Sequence, residues 1–134
     1  MDSSRLEFGA TPESVYAIKH VAFLVYPVRD MARARDFYER ILGLKVASEY
    51  QGHWVEYNIQ GTMLAVTDWL EGAQPCANGA ALALEVAHPD ALFQFFESNR
   101  VNIIKPLFET PVSRMGIVAD PEGNGIVIHQ SKII

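Results

Sequence analysis

Residues 20–46 read HVAFLVYPVRDMARARDFYERILGLKV, and the apolar spacing changes partway along. Together with the preceding Ala-Ile-Lys, residues 17–25 form a nearly unbroken apolar run, the pattern of a buried strand, interrupted at His20. Asp30 offers a short carboxylate suited to capping a helix N-terminus. Met31, Ala34, Phe37, Tyr38, Ile41 and Leu42 then place an apolar stripe at helical spacing, and Gly43 supplies the stop. The stretch therefore predicts a strand followed by a helix that runs to about Leu42.

The same order continues outward. Residues 44–60 hold two strand-like runs with a turn near Gln51-Gly52, and Gly61 opens a third, TMLAVTD. Beyond the loop EGAQPCANG the succession begins again: a strand over residues 80–86, a helix from Pro89 carrying Leu92, Phe95 and Phe96, then extended runs at 101–108, 114–119 and 125–130. Sliding Val25 onto Val86 lays HVAFLV over ALALEV, which pairs Ala22 with Ala83, Phe23 with Leu84 and His20 with Ala81. Two tandem βαβββ modules, about residues 17–70 and 79–131, predict an α+β domain over 15–134. Its helices lie outside and its strands form a curled mixed sheet around a cleft. Residues 1–14 read as a flexible leader.

Composition narrows the function. A formal charge of −5 without any basic run argues against nucleic acid or an anionic membrane as partner. No apolar stretch approaches the roughly 20 residues of a membrane span, and the polar start is no secretory signal, so the expected location is cytoplasmic. The lone Cys76 excludes an intrachain disulfide framework and a thiolate cluster, and reads as a small loop or buried residue.

The opening stretch resembles the signature of the vicinal oxygen chelate superfamily, which includes glyoxalases, bleomycin-resistance proteins and extradiol dioxygenases. It has a first-strand His, an Asp-led helix with a Phe-Tyr pair, and Leu-Gly-Leu. The stretch ETPVSRMGIVADPEGNGIVIHQ (residues 109–130) is similar to the superfamily's closing signature, with its Asp-Pro-Glu-Gly-Asn turn before the last strand. With the duplication, the resemblance covers about residues 17–131. Independently of it, Pro121 fixes φ and Gly123 or Asn124 tolerates positive φ, so residues 120–124 form a tight reversal in which Asp120 and Glu122 are expected to be solvated.

The resemblance implies a divalent metal held by one residue from each of four strands. Carried over residue by residue, those positions fall on His20, Leu64, Ala81 and Val127. Three of them are apolar and cannot ligate, so no cofactor is expected. The alternative is Zn, Ni, Fe or Mn in a displaced two-His-one-carboxylate site of His20, Glu56 and His129. His129 shares a strand face with Val127, and Glu56 alternates with Trp54 and Asn58.

The expected ligand-binding residues are His20, Glu56, Arg114 and His129. His20 is a polar group in an apolar strand and the best candidate acid or base. Arg114, after a Pro-Val-Ser loop, can hold a carboxylate in a fork. Trp54, Tyr57 and Trp69 are candidates for an apolar wall or for core, whereas His53 and His88 read as solvated. Three functions follow: a metal-free binder of a small organic ligand, a lyase, isomerase or dioxygenase-like enzyme, or a non-catalytic module with a vestigial cleft. A homodimer is what the resemblance implies.

Overall fold

The computed structural model describes residues 20–77 and 79–132. The expected leader and the first three residues of the expected opening strand lie outside them. Two four-stranded mixed sheets hold the chain together. The first contains β1 (Leu24–Pro27), β2 (Val46–Tyr50), β3 (Trp54–Ile59) and β4 (Thr62–Thr67), in the order β1-β4-β3-β2. The second contains β5 (Leu82–Glu85), β6 (Asn102–Glu109), β7 (Ser113–Ala119) and β8 (Gly125–Ser131), in the order β5-β8-β7-β6. β1 runs parallel to β4 and β5 parallel to β8, while the other pairs are antiparallel. The tandem βαβββ plan read from the sequence is the plan of the structure.

Each module contributes one helix. α1 (Met31–Arg35) starts where the Asp30 carboxylate accepts from Arg33 N at 3.1 Å. It continues as a π-helix over Asp36–Ile41, ending with Leu42 N donating to Phe37 O at 2.9 Å. Widening by one residue per turn lets Phe37, Tyr38 and Ile41 all face inward, and all three are buried. α2 (Pro89–Ser98) buries Pro89, Phe93 and Phe96. The helix-covered faces share one core, in which Tyr38, Tyr57, Leu64 and Val66 join Phe96, Val118, Ile126 and Ile128. Among the described residues no helix is long and apolar enough to cross a membrane.

The repeat register differs from the sequence superposition. Val28 N donates to Thr67 O at 2.9 Å, and Val86 N donates to His129 O at 2.8 Å. Leu24 pairs with Leu64, and Leu82 with Ile126. Val86 therefore matches Val28 rather than Val25, and Ala81 matches Phe23 rather than His20. β1 also begins later than the apolar run does, leaving His20 ahead of it and exposed. The cause is that apolarity alone leaves a strand free to slide. The pairing with β4 and the fixed start of α1 set the register.

Candidate functional site

Alternation divides each sheet into a helix-covered face and a helix-free one. On the first sheet Val55, Tyr57, Leu64 and Val66 are fully buried under the helix. Trp54, Glu56 and Asn58 take the other face, opposite Thr67, Ala65 and Met63. On the second sheet Ile126 and Ile128 are buried. Val127 and His129 take the helix-free face beside Ala83 and Glu85. The expected coincidence of Glu56 with Trp54 and Asn58, and of His129 with Val127, is thus one of strand face.

The first of these faces is built around an aromatic pair. The Phe23 and Trp54 rings meet edge-to-face with centroids 5.6 Å apart, and Phe23 is 40% exposed. Trp54 Nε1 donates to Glu56 Oε2 at 2.9 Å, while Ser48 Oγ donates to Glu56 Oε1 at 2.7 Å. Both oxygens of Glu56 are thereby engaged, which fixes the indole and holds a carboxylate beside it. The second face carries a pair of its own: His129 Nδ1 lies 2.6 Å from Glu85 Oε1. Glu85 also accepts from Ser131 N at 2.8 Å. That backbone donor first, and His129 second, hold the Glu85 carboxyl below its ordinary range.

Arg114 belongs to neither face. It alternates with Gly116 and Val118 on the helix side, where its guanidinium forks onto Asp90 at 2.7 and 3.0 Å. Its Nε lies 2.7 Å from Glu109. Asp90, in the first turn of α2, takes the forked donors that a substrate carboxylate would need, and the Glu109 charge lies beside them. The structure therefore brings Arg114 to the α2 N-terminus and separates it from Glu56, His129 and His20.

The metal positions follow the corrected register. The helix-free residue of β4 equivalent to Val127 is Ala65, because Leu64 matches Ile126 and both are fully buried on the helix side. The four equivalent positions are then Phe23, Ala65, Ala81 and Val127, none of which has a donor atom for a cation. Among the described residues no three His, Cys, Asp or Glu side chains form a group able to hold a metal, so His20, Glu56 and His129 do not make one. The inherited positions do not fit a divalent ion.

Two features escaped the sequence reading. Phe23 was hidden by the misplaced register. The clue was that Phe23 and Ala81 stand equally far ahead of the helix caps Asp30 and His88. Asp120, expected in a solvated turn, is only 3% exposed. Its carboxylate accepts from Glu122 N and Asn124 N at 2.9 Å, from Asn124 Nδ2 at 2.8 Å and from Tyr38 OH at 2.8 Å. Asn124 Nδ2 also donates to Pro27 O at 2.9 Å, and Tyr26 OH donates to Gly125 O at 2.7 Å. The turn is a buried polar fastening between the modules.

Paired βαβββ modules, each a four-stranded mixed sheet with a helix on one face, define a fold of the glyoxalase type. The chain belongs to the Glyoxalase/Bleomycin resistance protein/Dioxygenase superfamily, whose family model matches residues 17–128. It is similar to the antibiotic binding protein TnmS3 from Streptomyces sp. CB03234, at 29% identity, 87% of this chain, 98% of that one and a TM-score of 0.73. It is similar also to a glyoxalase/bleomycin resistance protein from the same organism, at 26% identity, 81% and 97% coverage and TM-score 0.68. A glyoxalase-related enzyme from Fulvimarina pelagi shares the fold at 19% identity, 84% and 88% coverage and TM-score 0.70. No curated protein matches the chain significantly in sequence.

Proposed function

We propose that this chain is a metal-free ligand-binding member of its superfamily that holds a small aromatic organic molecule on its helix-free faces. The observation that carries the reading is the Phe23–Trp54 pair, with Trp54 pinned by Glu56, at the level where the superfamily's metal positions have become apolar. Planar rings stack on such a pair, and the Glu56 carboxylate accepts a hydrogen bond from a ligand hydroxyl or amine. The likeness to an antibiotic-binding protein supports the same reading. His129, oriented by Glu85, adds a polar contact on the second face. His20, exposed and ahead of β1, stands outside this arrangement.

A homodimer is part of the proposal. Phe23, Leu24, Val46 and Tyr50 are all exposed, and a partner covering such apolar surface gives the ligand walls on two sides. Size-exclusion chromatography with light scattering tests it, and a monomer at all concentrations refutes it.

The binding reading is tested by thermal shift and tryptophan emission, using bleomycin and a panel of polyphenols with and without added Zn, Ni, Fe or Mn. A metal-independent rise in the melting midpoint that disappears in Trp54→Ala is expected, because a ligand bound only to the folded state raises its stability. Stoichiometric metal in the purified protein, or binding that requires it, overturns the metal-free reading. Indifference to the whole panel favours the vestigial cleft.

A further inference from the structure

A groove of about 770 Å³ lies on the helix side, between α1 with its π-helical continuation, the end of α2 and the β7–β8 turn. It shares no residue with the helix-free faces. Phe37, Ile41 and Val101 give it an apolar wall, and its rim is charged. The carboxylates on that rim are already engaged. Asp36 is forked by Arg40 at 2.8 and 3.0 Å. Glu122 accepts from Asp30 N at 2.6 Å and lies 3.3 Å from Arg29. Among the described residues the side chains of Arg33 and Arg100, which also line the groove, have neither ion pair nor hydrogen bond. Two free guanidiniums thus border an apolar wall, in a protein with a net charge of −5.

Arg100 is the more telling of the two. α2 ends in a Schellman turn, with Arg100 N donating to Glu97 O at 3.1 Å and Val101 N to Phe96 O at 3.0 Å. That turn places Arg100 at φ 61°, in the left-handed region where glycine is the unstrained residue. The sequence holds an arginine, with its Cβ strain, at the position where folding alone favours glycine. Strain kept beside a groove points to use of the side chain.

The geometry points to a binding site for a small organic anion, a carboxylate or phosphate on an aryl or alkyl body. Arg33 and Arg100 hold the anionic head, and Phe37, Ile41 and Val101 cover the body. Guanidinium suits either head, through charge-assisted hydrogen bonds with both planar nitrogens. The site is independent of the ligand proposed for the sheet faces.

The test is an amide NMR titration of the whole protein with benzoate, phenyl phosphate, benzyl alcohol and inorganic phosphate. Saturable shifts at Ile41, Arg100, Val101 and Gly123 are expected with benzoate or phenyl phosphate, and the tighter of the two identifies the head. Benzyl alcohol and inorganic phosphate are expected to bind at least about tenfold more weakly, since each lacks one half of the recognition. Arg100→Gly is expected to weaken binding by about tenfold while leaving the melting midpoint as high or higher, because glycine adopts that φ freely. Arg33→Gln weakens it similarly, and Trp54→Ala leaves it unchanged. Equal binding of benzyl alcohol or inorganic phosphate, wild-type affinity in both arginine variants, or no saturable shift overturns the proposal.

Discussion

Tyr38→Phe tests whether the turn at Asp120 fastens the two modules. The ring of Tyr38 is fully buried, edge-to-face with Phe37 at 5.1 Å and stacked on Tyr57 at 6.0 Å, and phenylalanine keeps both contacts. Only the hydroxyl is lost, with its 2.8 Å hydrogen bond to the Asp120 carboxylate. A buried hydrogen bond to a charged group contributes roughly 1.5–3 kcal/mol. Asp120 retains its two backbone donors and Asn124 Nδ2, so it is short of one partner and not stranded. A loss of about 2 kcal/mol at pH 7 is expected, a substantial part of the roughly 5–15 kcal/mol that holds a domain folded.

The same substitution carries a signature in alkali. Burial, then the Asp120 charge and hydrogen bond, push the Tyr38 phenol well above its ordinary 10.0. The folded state therefore keeps a proton that the unfolded chain releases. Its contribution is complete below pH 10 and is lost as pH rises beyond it, by up to about 1.4 kcal/mol per pH unit. Tyr26 and Tyr57 are raised as well, chiefly by burial, so the variant keeps part of the decline. Urea unfolding followed by circular dichroism between pH 7 and 11 measures both effects. A variant within about 0.5 kcal/mol of the parent at pH 7, the range of an ordinary surface change, or one with the parent's full alkaline slope, refutes the reasoning.

Two further substitutions separate fold from site. Arg114→Gln is expected to leave ligand affinity on the sheet faces within about twofold, since its partners are Asp90 and Glu109. It should lower the melting midpoint most at low ionic strength, where exposed pairs count for most. A selective loss of ligand binding in a calorimetric titration would return Arg114 to the site. Gly116→Ala would bring a Cβ to 2.6 Å from Phe93 Cζ and 3.0 Å from the Lys105 carbonyl oxygen. The ring can shift only within the core and the carbonyl belongs to the backbone, so a cost of about 1–3 kcal/mol is expected in urea unfolding. An unchanged midpoint would show that α2 can retreat from the sheet.

What the sequence makes legible follows from which signals are local. Asp30, the Phe37-Tyr38 pair and Pro89 mark the helices through capping, spacing and a missing N–H, all set within a few residues. Alternation likewise assigns Glu56 and His129 to their strand faces. Register is not local in this sense. Six apolar residues from Val21 to Tyr26 fit a strand in several positions, and the pairing of Leu24 with Leu64 chooses among them. That choice moves the inherited cleft position from His20 to Phe23 and turns a polar candidate into an aromatic one. Arg114 was unreadable for a related reason: its partners, Asp90 and Glu109, come from other elements and meet it only in the folded chain.

The division of labour between the two sides of each sheet explains how the four equivalent positions can be apolar without cost to the fold. Several of the polar contacts joining the modules lie at the β7–β8 turn, where Asp120 and Asn124 reach Tyr38 and Pro27, and others pair Arg40 with Asn99 and Leu82 N with Tyr26 OH. The packing that joins them lies on the helix side, in the cluster around Tyr38, Phe96 and Ile126. Neither uses Phe23, Ala65, Ala81 or Val127. Exchanging ligand-type side chains for apolar ones at those four positions removes no buried hydrogen bond. It also spares the desolvation cost of a carboxylate left without its cation. In the proposed binding role, aromatic and aliphatic groups there would enlarge the apolar surface offered to an organic ligand, and Glu56, satisfied by Trp54 and Ser48, would be the polar contact that orients it.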